Sequence, residues 1–247
     1  MFSEPFAHGN SWVHALDARL RIGVAFIFSC VLAVATTWQQ AKFGLIAACL
    51  LLICSRPPLR PLLRRLAAVN IFVLFLWLTV PCTMPGPAAF HLGSLSCSLA
   101  GLHLVWLITL KANAISLLFI ACVATMPVAY FGHALHALRL PGKFVFLLLF
   151  TYRAIFLLAD EWQRLNTALR LHNFVATSSL HSYRTLGTLV GLTLLRSIDR
   201  AGRIHQAMLL RGFSGHFTSL AEFRFTRRDG KFTVAALALL LLYFTLF

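Results

Sequence analysis

Residues 99–126 read LAGLHLVWLITLKANAISLLFIACVATM, and Lys111 is the sole charge among them. A bilayer core is about 30 Å thick and a helix rises about 1.5 Å per residue, so about 20 apolar residues cross it. This run predicts a membrane span, and it sets the reading of its neighbours. Ile22–Trp38, Phe43–Cys54 and Leu66–Val80 precede it, and Phe232–Phe247 is the last apolar run. The two shortest can cross if flanking residues snorkel or the bilayer thins. The composition agrees. Of 247 residues, 59% are hydrophobic and 12% charged, with a mean hydropathy of +0.80. A soluble domain is roughly half apolar and about a quarter charged. The sequence therefore predicts an all-α integral membrane protein with about five transmembrane helices. It argues against a secreted disulfide scaffold, a disordered tail and a cytosolic enzyme.

The cations orient the spans. Lys and Arg number 22 against 7 Asp and Glu, a net charge of +15. Arg19 and Arg21 precede the first span. Arg56, Arg60, Arg64 and Arg65 lie between the second and third, and 14 more fall between Arg139 and Lys231. The segment Pro81–Ser98 carries none. A cytoplasmic amino terminus places 20 of the 22 cations inside, as the positive-inside rule requires. Ala33-Val34-Ala35 imitates a signal cleavage site, but Glu4, Asp17 and the spans that follow favour an uncleaved first helix. The six cysteines form no C-x-x-C pair and sit mostly in apolar runs, where Cys packs as a small hydrophobe. Cys82 and Cys97 share the uncharged loop and would pair on an oxidising side.

The chain divides into 1–126, with four spans, a cytoplasmic or interfacial region at 127–230, and a final span at 231–247. Pro127 and Pro141-Gly142 break helices. Val128–Leu140 between them reads as a short interfacial helix. Lys143–Asn173 reads as one long helix, apolar all round at Phe144–Phe150 and amphipathic later. Its stripe is Leu158, Trp162, Leu165 and Leu169, with Asp160 and Arg164 paired four apart on another face. Ala176–Ser179 reads as a turn. A second long helix runs from about Ser182 to Arg211, with an apolar stripe at Leu186, Val190, Leu194, Ser197, Ala201, Ile204 and Met208. Arg196, Arg200 and Arg203 make a basic stripe, which Asp199 can orient, and Gly212 is a helix stop.

Catalytic chemistry is not legible. The sequence contains no phosphate-binding glycine loop, no G-x-S-x-G and no H-E-x-x-H. Asp160-Glu161 is the only adjacent acidic pair and reads as a solvated face. No catalytic residue is assigned. His133 and His136 are three apart, and His8 and His14 flank an amino-terminal loop, but neither pair has a third ligand nearby. No metal ligand is assigned. Lys111 inside a span costs about 3 kcal/mol, so it either pairs within the bundle or marks a pathway. Nucleic-acid binding would need interleaved aromatic and basic residues on a soluble surface, and that pattern is missing.

Two helix ends remain. One reads Ala168-Leu169-Arg170-Leu171-His172-Asn173-Phe174 and the other Ala207-Met208-Leu209-Leu210-Arg211-Gly212-Phe213. With Thr151-Tyr152-Arg153, Asp160-Glu161, Arg200-Ala201, Thr125-Met126-Pro127 and Leu138-Arg139-Leu140-Pro141, they carry a resemblance that covers nearly the whole chain. The sequence resembles the transmembrane T component of energy-coupling factor transporters of the cobalt and nickel type. His14-Ala15-Leu16-Asp17-Ala18-Arg19 is similar to a Leu-Asp-Pro-Arg-like run of that family, with alanine in place of proline.

The resemblance implies a non-catalytic, multi-pass subunit of the cell inner membrane, without a cofactor of its own. Two ATP-binding cassette ATPase subunits would carry ATP and Mg. A separate S component in the bilayer would bind cobalt or nickel ions, with a small accessory membrane subunit as a further partner. Two coupling helices would each present an Arg-centred motif to one ATPase. Arg211 and Gly212 match the second motif. The first departs from the pattern, since His172-Asn173 occupies the usual Arg-Gly position and the arginine lies two residues earlier; Arg170 is the expected first coupling contact, with His172 as the other candidate. Ala168, Leu210, Arg200 and Arg203 would support these contacts. Two rivals are a self-sufficient divalent-metal permease and a lipid-processing enzyme that uses Asp160 or Glu161.

Overall fold

Asp17 opens the first long helix. Its carboxylate accepts the Arg19 N–H at 2.9 Å and caps α1, Ala18–Val34. In the computed structural model, which describes residues 11–83, 88–92, 95–175, 177–213 and 225–246, α1 stops short of the expected Trp38. The reason is local. The Gln40 N–H donates to Thr37 Oγ1, and Gln40 Oε1 accepts the Thr37 N–H at 3.2 Å. This capping box starts α2, Trp38–Ser55, so Trp38 begins a helix instead of ending one. The third helix, α3, Leu59–Thr83, takes in the arginines before the apolar run and continues past Pro81, where a loop was expected. Pro81 removes one backbone donor near the helix end, and little helix is left to lose.

An antiparallel hairpin follows, β1 Ala88–Leu92 with β2 Leu95–Ser98, in the register Leu92 opposite Leu95. The side chain of Cys97 lies outside the described residues, and with it the expected Cys82–Cys97 pairing. The next helix, α4, Leu99–Phe119, widens into a π-helical turn at Ile120–Ala124. Beyond Pro127 come α5, Val128–Ala137, α6, Gly142–Leu171, α7, Leu180–Leu210, and α8, Arg227–Leu246. The α5 helix is shorter than expected because Arg139 turns left-handed, at φ 66°. Of the expected turn, Ala176 lies outside the described residues, and Ser179 caps α7 by accepting the Ser182 N–H at 3.3 Å.

The protein is an all-α membrane protein, with the hairpin as its one pair of strands among the described residues. Among the described residues, five helices are long and apolar enough to cross a bilayer: α2, α3, α4 with its extension to Ala124, α6 and α8. That set differs from the expected one. The first expected span, cut short by the Thr37 cap, is a 17-residue helix. The apolar start of α6 merges with its amphipathic end into 30 continuous residues.

The chain forms two compact units. One comprises Ser3–Ala134 with Ala221–Phe247 and the other Leu135–Leu220. The core of the first unit joins Ala25 and Phe28 of α1, Ala48 of α2, Leu62 of α3, Leu117 and Leu118 of α4, and Ala236 of α8. Small residues allow the close approach that holds helices together in lipid. At Gly101 a Cβ would lie 2.8 Å from the Pro81 Cα, so α3 and α4 touch backbone to backbone. Gly101→Ala is expected to force them apart and lower stability by about 1–3 kcal/mol, seen as a reduced thermal midpoint in detergent.

Polar groups inside this unit meet each other. Asn70 and Asn113 exchange two amide hydrogen bonds of 3.1 Å between α3 and α4. Trp77 Nε1 donates to Thr109 Oγ1 at 3.0 Å. Lys111 Nζ donates to the Ala33 carbonyl at 3.0 Å, so the intramembrane lysine satisfies an acceptor at the end of α1 that the helix leaves open. Arg21, read as a flanking cation, is instead 2% exposed within α1, and its Nη2 donates to the Thr125 hydroxyl. Thr125 in turn donates to the Ala121 carbonyl of the π turn at 2.8 Å. Asp229 accepts the Asp17 and Thr226 N–H groups at 2.8 Å each, which fastens the start of α8 to the start of α1.

Candidate functional site

The second unit is built on α6 and α7. One face of α6 carries Phe150, Ala154, Leu157 and Glu161, at spacings of four, three and four. The facing side of α7 carries Ser197, Ala201, Ile204 and Met208. Between them lies an open apolar groove of about 580 Å³. Arg153, Arg196, Arg200 and Arg211 stand along it, against one acid, Glu161.

Glu161 is the clasp. Its Oε1 accepts from Arg196 Nη1 at 2.7 Å and its Oε2 from Arg200 Nη2 at 3.0 Å. The Glu161 side chain is 8% exposed, against 53% for Arg196 and 33% for Arg200. Both carboxylate oxygens are engaged by charged donors, the stronger kind of hydrogen bond. One buried acid thus holds two turns of α7 to α6, and the groove retains a positive excess.

This corrects three expectations. Asp160 and Arg164 form no ion pair, and Glu161 turns inward instead of sharing a solvated face. Asp199 is exposed and does not orient the basic stripe; Glu161 does so for Arg196 and Arg200. The apolar stripes are also rotated. Trp162, Val190 and Leu194 are exposed, at 38%, 46% and 58%, whereas Leu189 and Thr193 are buried. The expected residues Leu158, Ser197, Ala201, Ile204 and Met208 do line the groove. The signal that was missed is spacing: Glu161 continues the series 150, 154, 157, so it shares their face.

The two helix ends have one geometry. In α7, Arg211 is the last residue before the turn. The Gly212 N–H donates to the Leu209 carbonyl at 3.0 Å, and the Phe213 N–H to the Met208 carbonyl at 3.0 Å. Gly212 has φ 77°. In α6 the Asn173 N–H donates to the Arg170 carbonyl and the Phe174 N–H to the Leu169 carbonyl, both at 3.1 Å, with Asn173 at φ 55°. Each is a Schellman motif, which needs a left-handed residue after the cap, and Gly and Asn are the residues that accept it. The residue before each cap is an exposed leucine, Leu171 at 80% and Leu210 at 90%. Phe174 and Phe213 are half-buried in equivalent places.

The motifs therefore superpose residue for residue, Ala168 on Ala207, Leu171 on Leu210, His172 on Arg211, Asn173 on Gly212. Arg170 falls two residues before His172, where α7 has Leu209. Arg170, His172, Arg203 and Arg211 are all exposed. Arg200 belongs to the Glu161 clasp instead of to a free basic face. Among the described residues, no three of His, Cys, Asp and Glu come together.

Known proteins resemble this chain along most of its length. The family model described as cobalt transport protein, CbiQ, matches residues 9–220. The energy-coupling factor transporter transmembrane protein EcfT of Leuconostoc gelidum subsp. gasicomitatum is 23% identical over 219 residues, covering 84% of this chain and 82% of that protein. The protein of the same name from Heliobacterium modesticaldum is 26% identical over 224 residues, covering 83% and 81%.

Proposed function

We propose that this chain, which belongs to the CbiQ family of cobalt transport proteins, is the energy-coupling transmembrane subunit of an ATP-driven importer. Its two long helices, α6 and α7, are the coupling helices. The observation that carries this reading is the pair of matching helix ends. Two identical backbone motifs, each offering an exposed leucine followed by a cationic or titratable side chain, suit two equivalent subunits of an ATPase dimer.

Arg211 is the coupling residue of α7. Its guanidinium offers five donors in a fixed plane and stays charged, so it can fill an acidic groove with charge-assisted bonds. His172 takes the same place on α6, by its position in the Schellman motif, and Arg170 flanks it. Gly212 and Asn173 hold the turn that projects these side chains. Leu210 and Leu171 are the apolar anchors beside them. The Glu161 clasp makes the two helices move together when the ATPases close on ATP and Mg, and that motion reaches a separate S component in the bilayer. The carried ion in this reading is cobalt or nickel, the metal-binding residues lie on the S component, and the amino terminus is cytoplasmic.

Purification of the chain from native membranes tests this. Two ATPase subunits and a small substrate-binding membrane protein are expected to accompany it, and metal uptake is expected only from the whole assembly. Metal flux through the purified chain alone in liposomes would overturn the reading.

A further inference from the structure

The α3 helix has two faces with different duties. Leu62, Val73 and Pro81 are buried, and Asn70 and Trp77 bond to α4. On the side away from these lie Arg60, Arg64, Ala67, Ile71, Leu74, Phe75 and Leu78, which share one stripe at helical spacing. Every one is exposed: Ile71 at 72%, Leu74 and Leu78 at 71%, Phe75 at 58%, with Arg60 and Arg64 at the head of the stripe.

The two arginines have no carboxylate partner among the described residues. No Asp or Glu occurs between Asp17 and Asp160, so α1 to α5 contain no acid to meet them. Asp17 caps α1, and Asp229 is taken by Asp17 and Thr226. From Arg64 to Leu78 the helix rises about 21 Å, which is somewhat more than one leaflet of a bilayer core. The stripe is thus cationic at one end and apolar for the length of an acyl chain. Leu63 and Phe72 on the flanks of α3 are exposed as well, and the stripe is the exposed apolar row that leads back to these two arginines.

We propose that this stripe is a binding site for one anionic phospholipid. Its phosphate lies between Arg60 and Arg64, and an acyl chain runs along Ile71, Leu74, Phe75 and Leu78. Headgroup charge supplies the counter-ion that the described residues lack, and Arg presents a fork that matches a phosphate.

The test is native mass spectrometry of the full-length chain released from mixed micelles of phosphatidylglycerol and phosphatidylcholine. The wild type is expected to retain phosphatidylglycerol preferentially. An Arg60→Gln/Arg64→Gln double variant is expected to lose about twenty-five-fold of that preference, about fivefold for each arginine. Arg60→Lys/Arg64→Lys is expected to keep most of it. Equal preference in the wild type and the glutamine variant would overturn the proposal, as would equal retention of both lipids by the wild type. A photoreactive phenylalanine at position 67 in the native complex adds a check that does not depend on refolding. A lipid adduct supports the site; a partner polypeptide as the adduct refutes it.

Discussion

Replacing Arg211 by alanine is expected to release the ATPase subunits and abolish uptake. Truncating an arginine at the centre of an interface weakens association by about thirtyfold or more. Arg211 stands where α7 ends, exposed and beside Leu210, and the turn behind it is held by two backbone hydrogen bonds that the substitution leaves intact. The helix itself should therefore survive, and circular dichroism is expected to be unchanged. Co-purification and uptake are the measurements. The same assay ranks the α6 positions. His172→Ala is expected to cost more than Arg170→Ala, because His172 occupies the place of Arg211 in the shared motif. His172→Arg is expected to preserve or tighten the ATPase contact. Full assembly and full uptake with Arg211→Ala would contradict the coupling role.

Reversing the charge of Glu161 is the second large effect. Glu161→Arg would place another cation among Arg196, Arg200, Arg153 and Arg211 around an apolar groove. With the two bonds to α7 gone and like charges apposed, α6 and α7 would no longer move as one body. Uptake is expected to fall about tenfold, in the range by which residues between coupled sites alter coupling. ATPase binding should persist, because both helix ends lie well beyond the clasp in sequence. Hydrolysis is then expected to continue without matching transport. Exchanging the pair, as Glu161→Arg with Arg200→Glu, restores an attraction and should recover part of the loss. A variant that transports normally with Glu161 reversed would show that the clasp carries no motion.

Much of the fold is legible in the apolar runs, since only helices satisfy their own backbone in lipid. Residues 99–126 predict α4, and the Pro127 break, the Gly212 stop and both long helices appear where expected. Helix limits are less legible, because a cap depends on a side-chain hydrogen bond that hydropathy does not see. Thr37 and Gln40 moved Trp38 from one helix to the next. Lys111 is a further case. Its position marked it as costly, but its acceptor is the Ala33 carbonyl, 78 residues away.

The sequence by itself determined that this chain lives in a membrane, that its cations far outnumber its acids, and that two amphipathic helices end in related motifs. These follow from composition and from spacing along a helix, which are local properties. Tertiary structure decided that Glu161 takes both Arg196 and Arg200, and that the ends of α6 and α7 close in the same backbone turn. Asp160 and Glu161 are neighbours in sequence but point about 100° apart on a helix; spacing puts Glu161 on the face of Phe150, Ala154 and Leu157, and the position of α7 supplies its two arginine partners. The equivalence of His172 and Arg211 likewise rests on the left-handed turn at Asn173 and Gly212, and backbone hydrogen bonds, not residue identity, set that register.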